Sequence, residues 1–446
     1  MQTYDTIVIG FGKAGKTLAA TLSKKGQKVA LIERSAQMYG GTCINIACIP
    51  TKTLEFKSRK RLGGLDKNDA YRQAIAEKTQ LITALRGKNY AKIAGTGATI
   101  IDGEASFVDP QTIEVKLTSG AVEQFTASQF VINTGASSVR LPISGLEASA
   151  RVYTSETLLD LAELPEHLVI VGASYIGLEF ASIYANFGAK VTVLQRGGVF
   201  LPAVDRDIAA AIKADLEARG VRIVDKATVL SGREDTRLHL TVSVDGQTEV
   251  MDADALLLAV GRKPATAALH LDRAGVATRD DGSIVTDETL KTTNPRVWAA
   301  GDVKGGEQFT YISLDDFRII LSQMLGDKSR TTQNRGPVPH TMFIDPPYAS
   351  IGLSEEAAKA AGLDYVVSKL PVAAIPKAHI LEEPKGLLKL ILEKGSEKIL
   401  GAHFYAPESH EVIGIIEMAM KAGLPYSVVR QTIFAHPTMA EALNDL

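Results

Sequence analysis

Cys43 and Cys48 are the only cysteines among 446 residues, and they stand five positions apart in Gly40-Gly41-Thr42-Cys43-Ile44-Asn45-Ile46-Ala47-Cys48-Ile49-Pro50-Thr51-Lys52. The chemistry open to such a pair is thiol–disulfide exchange. In an ideal α-helix the two Cα atoms would lie ~8–9 Å apart. A disulfide needs roughly 4.4–6.8 Å, so a bridged pair requires a bend. Gly40 and Gly41 give the preceding backbone its freedom, and Pro50 is tolerated near a helix start but not in its middle. The pair is therefore expected on an irregular turn entering a helix, whose N-terminus favours a thiolate. Two buried apolar cysteines would fit the same spacing. A zinc site would need a second ligand pair nearby, and a secreted disulfide framework would need more cysteines in a shorter chain.

The elements that must position this pair include two copies of one unit. The first is the apolar run Thr6-Ile7-Val8-Ile9, the turn Gly10-Phe11-Gly12-Lys13-Ala14-Gly15, a helical stretch to Leu22, and a second strand Val29-Ala30-Leu31-Ile32 closing on Glu33. The second runs Leu168-Val169-Ile170-Val171, Gly172-Ala173-Ser174-Tyr175-Ile176-Gly177, a helix through Phe187, and Val191-Thr192-Val193-Leu194 closing on Gln195. The distance from first glycine to closing residue is the same in both. Strand, glycine turn, helix and strand form the setting in which a GxGxxG pattern signifies a dinucleotide site. The turn lets backbone N–H groups and a helix N-terminus approach a pyrophosphate. Glu33 is placed to accept from ribose hydroxyls, as an adenine dinucleotide requires. Gln195 replaces that carboxylate in the second copy and Arg196 follows it, a pairing suited to the 2′-phosphate of NADPH rather than to NADH. Ser174 takes the place of the middle glycine.

Composition sets the frame. A chain of 446 residues exceeds one hydrophobic core and divides into two or three domains. The net charge of −2 gives no attraction to nucleic acid or to an anionic membrane. The opening residues MQTYDTIVIGFG lead into a strand with no leader pattern, and no apolar run is long enough to span a bilayer. A cytoplasmic location is expected, where a two-cysteine disulfide is catalytic rather than structural.

Two further segments, Val131-Ile132-Asn133-Thr134-Gly135 and Thr292-Thr293-Asn294-Pro295-Arg296-Val297-Trp298-Ala299-Ala300-Gly301-Asp302, each read as a strand ending in a glycine turn. Together with the cysteine segment they resemble the flavin fingerprints of the class I pyridine nucleotide-disulfide oxidoreductases, the family of glutathione reductase, dihydrolipoamide dehydrogenase and mercuric reductase. The resemblance covers essentially the whole chain. It implies an α/β fold with two Rossmann-like dinucleotide-binding domains and an α+β dimerisation domain. The boundaries would be 1–150 and 261–335 for FAD, 151–260 for NAD(P)H, and 336–446 for the dimer interface. It implies that Asp302 holds the flavin ribityl chain and that Lys52 lies by the isoalloxazine near Glu179. Gly41, Thr42, Thr134, Gly135, Gly261, Arg262 and Gly301 would complete the cofactor walls. His436-Pro437-Thr438-Met439-Ala440-Glu441 is similar to the family's His-Pro-Thr-x-x-Glu. There the histidine of one subunit serves the cysteines of the other and the glutamate orients it, a task suited to imidazole.

The chain closes on Ala442-Leu443-Asn444-Asp445-Leu446 without another cysteine pair, so the oxidant is expected to reach Cys43 directly. The stretches IGFGKAGKTLA, MYGGTCINI, QFTYISLDDFRI and LPVAAIPKA are similar to flavoproteins of bacterial reactive-chlorine resistance, described also as hypothiocyanous acid reductases. The lysine-bearing FGKAGK loop and QFTYISLDDFRI depart from dihydrolipoamide dehydrogenase. Ala47 stands where the family usually has glycine, and its methyl group would restrict the turn if that position required positive φ. The resemblance thus implies a homodimer that moves electrons from NADPH through FAD to Cys43 and Cys48, then to a small electrophilic oxidant. A general reductase of glutathione-like or lipoyl disulfides, a Cu(II) or Hg(II) reductase, and a flavin-binding redox sensor are the alternatives.

Overall fold

The computed structural model describes residues 2–60 and 65–446. Strands buried on both faces read as continuous apolar runs, and the buried runs 7–9, 29–32 and 130–132 form the centre of the first sheet. Gln2–Ile9 pairs in parallel with Val29–Glu33 on one side and with Val122–Ile132 on the other. Thr99–Asp109 and Val297–Ala299 extend this sheet in parallel at its two ends. The two long strands each serve twice. Gly103–Asp109 and Val122–Thr126 also pair antiparallel with the short strand Thr112–Leu117. The sequence suggests a strand throughout 292–302, but only Val297–Ala299 is extended. Asn294 Oδ1 accepts from the Arg296 amide at 2.9 Å, an Asx turn ahead of the strand.

A second, fully parallel sheet has the order Val221–Val224, Lys190–Leu194, His167–Val171, Ala255–Leu258, Val152–Thr154. Side chains alternate across a strand. Leu168 and Ile170 pack with Leu178, Ile183 and Ile208 from the helices Tyr175–Phe187 and Arg206–Ala218. Val169 and Leu256 pack with Leu240 and Val242 on the other face, from an antiparallel meander over 227–253. Ala136–Ser138 and Arg262–Pro264 pair antiparallel where the chain leaves and re-enters the first module. The remaining module is a five-stranded antiparallel sheet, ordered His340–Met342, Tyr348–Gly352, Ile399–Tyr405, Leu387–Glu393, Tyr365–Pro371. Helix Ser409–Lys421 covers it through Val412, Ile413 and Ile416. Among the described residues no helix is long and apolar enough to cross a membrane.

Candidate active site

The cysteine segment is bent, as a redox pair at this spacing demands. A four-residue helix, Thr42–Asn45, carries Cys43, and a second helix, Cys48–Arg59, begins at the other cysteine. Ile46 and Ala47 break the helical path between them. Ala47 has φ −143° and ψ −101°, outside the left-handed region, so its methyl group meets no left-handed strain there. Both cysteines are free, half-buried thiols. They share their protons unequally. The Cys43 thiol donates to Cys48, which pushes Cys43 up and is the largest cause of a Cys48 pKa lowered to about 6. Burial opposes that lowering, while the Thr310 hydroxyl and the Lys52 charge reinforce it. Thr310 Oγ1 lies 3.5 Å from Cys48 Sγ, at the start of helix Thr310–Leu325. The charge of the reduced pair therefore sits on Cys48.

Four residues after Cys48, one turn along its helix, Lys52 Nζ contacts Glu179 Oε2 at 2.6 Å. Glu179 is buried on helix Tyr175–Phe187, and its other oxygen accepts from the Phe343 amide at 2.9 Å. Lys52 also lies 4.7 Å over the Phe343 ring centroid, a cation–π contact. One ion pair thus ties the cysteine helix to the second Rossmann module and to the antiparallel module. The Lys52–Glu179 proximity is among the arrangements that the family resemblance implies.

A cavity of about 930 Å³ runs from the first glycine turn to the cysteines. Gly10, Gly12, Glu33, Gly41, Thr42, Cys43, Cys48, Lys52, Thr134, Gly135, Glu179, Arg262 and Asp302 all line it. The volume falls toward the upper end of the roughly 300–1,000 Å³ typical of small-molecule and cofactor sites. Its wall is made close by glycine. A Cβ on Gly41, at φ +80°, would stand 2.7 Å from Gly12 Cα, so the cysteine segment packs directly on the dinucleotide turn. A Cβ on Gly10, at φ +102°, would meet the Asn133 carbonyl at 2.4 Å. Glu33 is buried, and its oxygens accept from the Phe11 and Ser35 amides at 3.0 and 3.2 Å. Burial raises the pKa of Glu33 and of Asp302, at opposite stretches of the wall. A cavity with a glycine turn at a helix N-terminus and a buried acid at the adjoining strand end fits an adenine dinucleotide.

Sequence reasoning missed three residues, two that line this cavity and one behind it. Asn133 accepts from the Gly15 amide at 2.8 Å and donates to the Ala300 carbonyl at 2.6 Å, joining both glycine turns. Asp316, fully buried, accepts from the Gly301 amide at 2.7 Å and ion-pairs with Arg335 and Lys304. Thr310 is the third. The available signal was a polar residue ending an apolar strand for Asn133, and a pair of acids within an otherwise amphipathic helix for Asp316.

Other anticipated residues lie outside the cavity lining. Gly172, Ser174 and Gly177 form the second turn, and the helix they begin presents Tyr175, Ile176 and Glu179 to the cavity. Gln195 is buried and its Nε2 donates forward to the Gly197 carbonyl at 3.1 Å, whereas Arg196 is exposed. Gly261, at φ +117°, precedes Arg262, whose guanidinium contacts Glu156 at 3.2 Å. His436 is 71% exposed, with Nδ1 2.8 Å from Glu441 Oε2. Neither lines the cavity of its own chain. The His436 contact holds the Glu441 carboxyl below the usual carboxylate range.

This constellation is matched by known sequences. The pyridine nucleotide-disulphide oxidoreductase profile matches residues 4–316, and the dimerisation domain of the same family matches 338–446. The chain is a pyridine nucleotide-disulfide oxidoreductase. It is 46% identical over 449 residues to the probable pyridine nucleotide-disulfide oxidoreductase RclA of Escherichia coli, covering 100% of this chain and 99% of that one. A mercuric reductase from Bacillus cereus is 35% identical over 99% of this chain and 70% of its own length. A solved structure described as the Cu(II) complex of HOCl-induced flavoprotein disulfide reductase RclA from Escherichia coli superposes with a TM-score of 0.95. It is 45% identical and the match covers 100% of this chain and 99% of that one. As a flavoprotein of this family, the oxidoreductase uses FAD and NAD(P)H.

Proposed function

We propose that this oxidoreductase is a cytoplasmic homodimer that spends NADPH to reduce a small electrophilic oxidant, hypothiocyanous acid or a reactive-chlorine product, in oxidative-stress defence. The observation that carries the reading is the full-length likeness to E. coli RclA, a protein described as induced by HOCl. FAD and NADPH, when bound, supply the hydride relay that reduces the cysteine pair. Gly10, Gly12, Glu33, Gly135 and Asp302 would hold the flavin nucleotide. Lys52, oriented by Glu179, would lie beside the ring. Cys48 serves as the flavin-side thiolate, kept charged by Cys43 and Thr310. Cys43 serves as the interchange sulfur. Its sulfur attacks the electrophilic sulfur of hypothiocyanous acid, and hydroxide leaves to become water. Cys48 then displaces thiocyanate and closes the disulfide, before further oxidation of Cys43. His436 of the partner subunit, oriented by its own Glu441, would take the Cys43 proton.

Steady-state NADPH oxidation tests the substrate. Rapid turnover with hypothiocyanous acid and slow turnover with glutathione disulfide, lipoamide, Cu(II) and Hg(II) is the expected result. Fast reduction of a stable disulfide or a metal ion would replace this reading with a general reductase, and negligible turnover with every oxidant would favour a sensor.

The nicotinamide preference is a separate expectation. Glu33 is tied back to its glycine turn, whereas Gln195, its counterpart, offers no carboxylate to a ribose 2′-hydroxyl. The exposed Arg196 guanidinium is free to pair with a 2′-phosphate. A charge-assisted hydrogen bond contributes roughly 1.5–3 kcal/mol, or about ten- to a hundredfold in kcat/KM. NADPH should be preferred over NADH by about that factor, and Gln195→Glu with Arg196→Ala should reverse the order. Equal use of both cofactors by the unmodified enzyme would remove the basis of the assignment.

A further inference from the structure

The first helix carries a buried cation that the scheme above does not use. Lys16, on helix Lys13–Lys24, is only 9% exposed. Lysine is almost never buried without partners, because its compact ammonium is strongly hydrated. Here Nζ donates to the Gly40 carbonyl at 3.0 Å and to Asn89 Oδ1 at 2.6 Å, and neither acceptor is charged. Gly40 lies three residues before Cys43, and Asn89 is on the long helix Lys67–Ala94. The same turn is held from its other side. Asn45 Nδ2 donates to the Tyr39 and Gly41 carbonyls at 3.1 and 2.9 Å, and Asn45 Oδ1 accepts from Arg86 Nε at 2.9 Å. The titratable groups around Lys16 are Lys13 on its own helix, Lys92 on the long helix and Cys43 on the redox segment. Cys43 is the one among these that becomes an anion.

We propose that Lys16 is a positioning residue that anchors the Gly40 turn, three residues before Cys43, and places there an ammonium that favours the Cys43 thiolate when it meets a small electrophile. An opposite charge nearby favours the ionised form of a thiol. Burial and the neighbouring Lys13 lower the Lys16 pKa to about 8, so the ammonium remains protonated at neutral pH. Its charge opposes the Cys48 contact and the burial that push Cys43 up. The proposal rests on Cys43 being the interchange sulfur, but its test uses no oxidant.

The test starts from the flavin-loaded Cys48→Ser protein, in which Cys43 is the sole cysteine. The pH dependence of Cys43 alkylation by iodoacetamide is measured alone and with Lys16→Met, Lys16→Gln or Lys16→Arg. Lys16→Met and Lys16→Gln should move the midpoint up by about one pH unit and slow alkylation at pH 7 about tenfold. Lys16→Arg, charged at every pH measured, should lower it. An unchanged midpoint in a neutral variant, even with a lowered Tm, would make Lys16 a structural anchor and overturn the proposal. Should both neutral variants lose flavin, Lys16→Arg decides alone. A lowered midpoint there supports the charge, and an unmoved or raised one overturns the proposal.

Discussion

Cys43→Ser and Cys48→Ser are each expected to abolish oxidant reduction and to leave FAD bound. The flavin wall at Gly10, Glu33 and Asp302 comes from the first sheet and its turns, so neither sulfur is needed to build it. The two variants should differ in colour. In Cys43→Ser the hydroxyl still donates to the Cys48 sulfur, and Thr310 and Lys52 remain, so Cys48 keeps a low pKa. A thiolate beside oxidised flavin gives a long-wavelength charge-transfer band, and Cys48→Ser should lack it. The sign of the pH dependence follows from the lowered pKa. The band is present above about 6, where Cys48 is ionised, and fades as pH falls through that value and the sulfur gains a proton. Visible spectra of both purified variants across this range decide the matter. A band in Cys48→Ser and none in Cys43→Ser would exchange the roles of the two sulfurs.

How much of this site could be read from sequence depended on how far apart its parts lie in the chain. Gly10, Glu33 and the cysteine pair were legible because a turn, a strand end and a bent helix entry are set by neighbours within a few tens of residues. The repeat of strand, glycine turn, helix and strand placed both Rossmann modules for the same reason. Thr310 was not legible. It reaches Cys48 across 262 positions, and nothing in its local pattern marks a contact with sulfur. Asn133 likewise bonds Gly15 and Ala300, 118 and 167 positions away. Ala47 shows the opposite limit. A departure from the family glycine suggested a restricted turn if positive φ were needed, yet the backbone there lies at negative φ, outside the left-handed region. Lys16 stood in plain view as a departure of the glycine loop, but only its burial against Gly40 and Asn89 distinguishes it from a solvated helix lysine.

The second large effect concerns His436. In one chain this residue is exposed and absent from the cavity lining, although its imidazole is already oriented by Glu441. With Nδ1 engaged by the carboxylate, Nε2 is the nitrogen left to exchange a proton. Glu441 is itself fixed, since its other oxygen accepts from the Thr438 amide at 3.1 Å and its own amide donates to the Thr438 hydroxyl at 3.2 Å. An oriented but unemployed base on the dimerisation module makes sense if it enters the partner subunit's site. His436→Ala should then lose about 10²–10⁴-fold in oxidant turnover, the range for removing a general acid–base group, while each chain still binds FAD. The decisive measurement is complementation. A His436→Ala chain and a Cys43→Ser chain, each inactive as a homodimer, are co-expressed with different tags and the heterodimer is purified through both. One of its sites then combines intact cysteines from the first chain with the histidine of the second, and should turn over hypothiocyanous acid at the parental rate per site. Heterodimers that form and stay inactive would sink the shared-site arrangement, because every residue the reaction needs would be present in the particle but on the wrong side of the interface.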